Sequence, residues 1–166
     1  MSRPVSTSSS GQVSVAIVEH EVARNPLHWL ITYEAANDGD CDAWLIDDDF
    51  LVLRRDGDRI AISYAREPMQ PGVHVFGYFA PRVVRMRPGR REQRSVEISW
   101  PCRLSDIWNP QREVSIPPGE YRLSVTIGWA PSEEPDSPGL RDSAESAVLK
   151  WQRKAESEAV TMVQPE

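Results

Sequence analysis

Apolar and polar positions alternate with a period of two along most of the chain, the spacing of strands that keep one face in a core. Val13, Val15 and Ile17 alternate with Ser14, Ala16 and Val18. Leu27, Trp29, Ile31, Tyr33 and Ala35 alternate with His28, Leu30, Thr32 and Glu34, and Asn37-Asp38-Gly39 reads as the turn that follows. Val83 to Met86 reads as a strand turned at Pro88-Gly89. Val96, Ile98 and Trp100 mark a half-buried strand stopped by Pro101. The longest run sets Tyr121, Leu123, Val125, Ile127 and Trp129 against Arg122, Ser124, Thr126 and Gly128. Residues 50–64 read as a hairpin closed by Asp56-Gly57. That turn places Arg55 opposite Asp58, Leu53 opposite Ile60 and Leu51 opposite Ile62. It also sets Arg54 against Arg59, an unfavourable like-charge pair.

The segments between these runs are punctuated by Pro and Gly. Residues 1–11 are Ser-rich and aperiodic and read as a flexible tail, leaving one domain over 12–163. Within it, His74, Phe76 and Tyr78 suggest a short edge strand, and 101–118 and 130–146 read as long loops. Two patterns compete near the end. Ala144, Ala147, Val148 and Trp151 fit a helical face, and Asp142 with Glu145 resembles a capping box. Against this, Lys150 and Lys154 repel at i,i+4 on a helix, and Val160-Thr161-Met162-Val163 favours strand. The balance predicts strand, broken near Ser157. Eight or nine short strands with Pro and Gly turns predict an all-β, antiparallel sandwich.

Pro117-Pro118-Gly119-Glu120-Tyr121 resembles the lead into a long central strand of immunoglobulin-like and fibronectin-type sandwiches. The resemblance implies a tyrosine corner, in which the Tyr121 hydroxyl bonds to nearby backbone. Ser157 to Val163 is similar to the last strand of such domains, and Arg87-Pro88-Gly89 before the Val96 strand resembles the small bacterial intracellular proteinase inhibitors of this architecture. Leu123 stands where antibody-type domains place their second cysteine, so that disulfide is not implied.

The chain has 166 residues, 40 % of them hydrophobic, enough for one core and too many for wholesale disorder. No apolar run approaches the ~18–20 residues of a membrane helix. The first ten residues lack a signal-peptide pattern, which points to the cytoplasm. Seventeen Arg against two Lys hint at a GC-rich bacterial source. Net charge is −6, which argues against nucleic acid or an anionic membrane as partner. The charges are also segregated. Glu34, Asp38, Asp40, Asp42, Asp47, Asp48 and Asp49 form an acidic run, and Arg82, Arg85, Arg87, Arg90, Arg91 and Arg94 a basic one interrupted by Glu92 alone. The two runs either neutralise each other within the fold or form a dipolar surface. Cys41 and Cys102 sit in no redox motif and read as buried thiols.

Motifs for chemistry are sparse. His20-Glu21-Val22-Ala23-Arg24 lacks the second His of a zinc-protease helix. Asp38, Asp40, Asp42 and Asp49 match calcium-loop positions, but Ala43 stands where that loop needs Gly. No nucleophile elbow, phosphate loop or dinucleotide fingerprint occurs, so a non-enzyme without cofactor or metal is expected. Of six Trp, Trp29, Trp44, Trp100 and Trp129 fall in phase with strand faces and read as core. The remaining candidate is the 101–118 connection, with Leu104, Ile107, Trp108, Asn109 and Arg112 as anchors for a protein partner or a second copy. The expected role is a protein-binding or assembly module using this loop or a sheet edge. The alternatives are an intracellular proteinase inhibitor and a calcium- or carbohydrate-binding module.

Overall fold

The computed structural model describes residues 12–24, 26–47, 51–67, 81–106, 109–114, 116–131 and 144–166, with backbone alone for 102–106, 109–114 and 144–147. The expected tail, the His74 to Tyr78 strand and most of the 130–146 loop lie outside these residues.

Three strands, β1 (Val13–Ala23), β2 (His28–Asn37) and β7 (Arg91–Ser99), form an antiparallel sheet in the order β1-β2-β7. A larger sheet is assembled on the 13-residue β10 (Gly119–Pro131). One edge of β10 pairs with β12 (Val160–Gln164) and then β11 (Arg153–Glu156). Its other edge pairs with β5 (Arg59–Ser63) and then β3 (Ala43–Ile46), which carry β4 (Val52–Asp56) and β6 (Val83–Met86) outward. A third, two-stranded sheet joins β8 (Cys102–Asp106) to β9 (Asn109–Val114). The single helix, α1, spans Ala144–Trp151.

The expectation of an all-β chain holds, with two corrections. The described residues contain twelve strands rather than eight or nine; β8 and β9 lack a clean alternation and lie in a segment read as a loop. The large sheet is also mixed rather than antiparallel, since β5 runs parallel to β10.

The alternating faces predicted for β2 and β10 meet in one core. Trp29, Ile31, Tyr33 and Ala35 are buried with Tyr121, Leu123, Val125, Ile127 and Trp129, joined by Ile60, Ile62, Leu45, Met86 and Met162. Each of the Ile, Leu, Val and Met side chains contributes about 1.5–3 kcal/mol by leaving water. Trp29 spans the core: its indole N–H donates to Gln164 Oε1 at 2.8 Å, and its ring meets Trp100 edge-on at 5.2 Å. In β1 a bulge between Ile17 and Glu19 changes the phase, so that Val22 instead of Glu21 faces Trp29. Val18 is left 47 % exposed at that bulge.

The β4–β5 hairpin forms with a different register. Asp56 pairs with Arg59, Arg55 with Ile60 and Leu53 with Ile62, so Gly57-Asp58 is the loop instead of Asp56-Gly57. Gly57, at φ 60°, supplies the left-handed residue at the first loop position. The shift replaces the Arg54–Arg59 clash with an Asp56–Arg59 neighbour and keeps Leu53, Ile60 and Ile62 on the core side.

Residues 144–151 form a helix, which corrects the predicted strand there. The objection to a helix was Lys150 against Lys154, but the helix stops at Trp151 and Lys154 enters β11, where it reaches Glu67 at 2.8 Å. The break at 157–159 falls where the sequence placed it. Val148 anchors α1, 2 % exposed, and Gln152 just beyond it accepts from the Arg66 N–H and donates to the Arg66 carbonyl. Gly128 permits this close approach. A Cβ there would stand 2.5 Å from Gln152 Oε1 and 2.7 Å from Ile46 Cδ1.

Candidate functional site

Within the segment singled out from the sequence, 101–118, Cys102–Asp106 and Asn109–Val114 form two paired strands where a loop was expected. Cys102 pairs with Val114, Arg103 with Glu113, Leu104 with Arg112 and Asp106 with Asn109. A register irregularity lies between Leu104 and Asp106. Three of the five predicted anchors, Leu104, Asn109 and Arg112, are thus brought onto one ladder. Ile107 and Trp108 lie outside the described residues. The hairpin shares no backbone ladder with either main sheet among the described residues, and β8 approaches β4. Its base is fixed by the core: Ile116 is buried, and Tyr121 O–H donates to the Pro117 carbonyl at 2.6 Å. The Tyr121 hydroxyl thus bonds to backbone four residues upstream.

Among the described residues, members of the acidic and basic runs pair with one another. Arg85 pairs with Asp42, Arg91 with Glu34 at 2.7 Å and Asp38 at 3.7 Å, and Asp47 receives Arg82 at 3.0 Å and Arg94 at 2.8 Å. Adjacency of β3 to β6 and of β2 to β7 produces this belt by placing the two runs side by side. Hydrogen bonding to Glu34, then its charge and that of Asp38, raises the Arg91 pKa further. Asp38 and Asp42, two of the calcium-loop candidates, therefore face guanidinium groups. Among the described residues no group of three or more His, Cys, Asp or Glu is disposed around a common ion position.

Cys41 is exposed, which corrects the expectation of a buried thiol. It sits in the tight turn after β2, where Asn37 is fully buried and bonds to the Cys41 and Met86 carbonyls at 2.8 Å each. The neighbouring Asp40 charge raises the Cys41 pKa, so the thiolate is scarce at neutral pH. Trp29 and Trp129 are core residues as expected, and Trp44 and Trp100 are half-buried. Among the described residues the buried indole N–H groups of Trp44, Trp100 and Trp129 have no acceptor.

Sequence reading missed a cleft of about 340 Å³ on the outer face of the large sheet. Its walls carry Arg54, Arg59 and Arg122 with Asp56 and Glu156. The polar face of β10 was legible in the alternation, but only the parallel β5–β10 pairing sets Arg59 beside Arg122. Among known proteins, no family model, no curated protein and no solved structure matches this chain.

Proposed function

We propose that this chain is a non-catalytic protein-binding or assembly module of immunoglobulin-like sandwich architecture, with the β8–β9 hairpin as its binding element. The observation that carries the reading is the hairpin's separateness. It is a ladder of its own, rooted at the Tyr121 corner and paired to neither main sheet among the described residues. A hairpin of this kind offers side chains and strand edges to a partner without disturbing the core behind it. Leu104 and Arg112, opposite each other on the ladder, combine an apolar and a guanidinium anchor.

Capture of tagged protein from its native lysate tests this directly. Trp108→Ala and Ile107→Asp should abolish a stoichiometric complex, with another protein or with a second copy, while leaving the melting temperature nearly unchanged. An unaltered complex, or a collapse in melting temperature, would remove the hairpin from the interface. A hairpin on a separate ladder also suits an intracellular proteinase inhibitor, and inhibition of a panel of serine and cysteine proteases, lost in the same variants, would specify the partner class.

A further inference from the structure

We propose that the cleft on the outer face of the large sheet is a binding site for a small organic oxyanion, a phosphate ester or a carboxylate. This site is independent of the hairpin.

Register places the side chains. On the solvent face of the sheet one row runs Asp56, Arg59, Arg122, Thr161 across β4, β5, β10 and β12. The next row runs Arg54, Ala61, Ser124. There it reaches the break between β11 and β12, so Ser157 and Ala159 close the end of the cleft. Ala61, Ser124 and Ala159 make a floor of small side chains, and the arginines make walls. The volume, about 340 Å³, is that of a small-molecule site.

The charge pattern identifies the ligand. Arg59 and Arg122 are direct neighbours in the parallel ladder, an arrangement that like charges destabilise. Neither guanidinium has an ion-pair or hydrogen-bond partner among the described residues, although Asp56 is the register neighbour of Arg59. The belt between the acidic and basic runs shows the opposite pattern, with Arg85, Arg91 and Arg94 each held by a carboxylate. Arg54, on the adjoining row, is 60 % exposed and pairs with Glu67 at 3.5 Å. Two adjacent guanidinium groups over a small-residue floor match the fork geometry of one phosphate or carboxylate, which would relieve their repulsion. Glu156 accepts from Ser124 Oγ at 2.9 Å and, with Asp56, keeps the cleft from favouring a polyanion. These carboxylates instead accept from a hydroxyl or amino group on the body of the ligand.

The test is an amide NMR titration of the full chain with inorganic phosphate, glycerol phosphate and succinate, each against sodium chloride of equal ionic strength. At least one probe should give saturable shifts confined to residues around 54–61, 122–124 and 157–159. Tighter binding of the phosphates assigns a phosphate ester, and tighter binding of succinate a carboxylate. Arg59→Gln and Arg122→Gln should each weaken binding by about tenfold or more, with Arg122→Lys retaining part of it. Neither Gln variant should melt lower than the parent without ligand, because each removes a like-charge contact; a role in folding alone would lower it. Shifts no larger than those in chloride, or saturable shifts that persist in the double Gln variant, would overturn the proposal.

Discussion

At the scale of single residues, Tyr121 links the core to the hairpin. Its ring is buried beside Trp29, 6.1 Å between centroids, while its hydroxyl holds the Pro117 carbonyl. Tyr121→Phe keeps the ring and deletes the bond. It should cost about 1 kcal/mol in urea unfolding. The same variant should raise amide exchange across the base of β8–β9. Cys41 gives a second residue-level expectation, set by charge. Asp40 raises its pKa, so at neutral pH it should alkylate more slowly than a free cysteine, with the rate rising as pH rises. Asp40→Asn lowers that pKa, enlarges the thiolate fraction and should speed the reaction, as read by peptide mapping that separates Cys41 from Cys102.

At the scale of elements, β10 packs closely against Gln152, the residue that follows α1. The burial of β10 alternates up to Thr126 and then becomes continuous from Ile127 to Ala130, where Gln152 and Ile46 close on Gly128 from the second face. Gly128→Val should therefore destabilise by about 1–3 kcal/mol and detach the helix first, seen as early hydrogen exchange over 144–152. A substitution without effect would place α1 elsewhere. Gly128 also marks where sequence reading stops. The inward faces of β2 and β10 were legible because a two-sheet core imposes strict alternation on Trp29, Ile31, Leu123 and Val125. The helix was not, because its eight residues run directly into a strand and the Lys150–Lys154 spacing spans the boundary. The hairpin was legible as a functional candidate through its unusual length and anchors, but not as strands, since Cys102 to Val114 carries no period of two. The arginine cleft was invisible. It depends on which strands become neighbours, and the alternation within β5 and β10 says nothing about their pairing in parallel.

At the scale of the whole molecule, the described members of the two segregated charge runs pair in a partly exposed belt, and this weakens the dipolar-surface reading. Asp47 joins β3 to both β6 and β7 through Arg82 and Arg94. These groups are partly exposed, so Asp47→Asn should cost at most about 1 kcal/mol, and that difference should shrink in high salt. On the proposed reading the hairpin is the element that recognises a protein partner, and the two main sheets stand behind it. Because Cys102 and Val114 are register partners, a two-residue turn joining positions 102 and 114 can replace everything between them without pulling on the core. The most direct measurement is quantitative capture from native lysate with this shortened chain beside the intact one, both matched for melting temperature. The account predicts a shortened chain that melts within a few degrees of the intact protein and retains none of its stoichiometric partner. A shortened chain that captures the same partner in the same amount would contradict it.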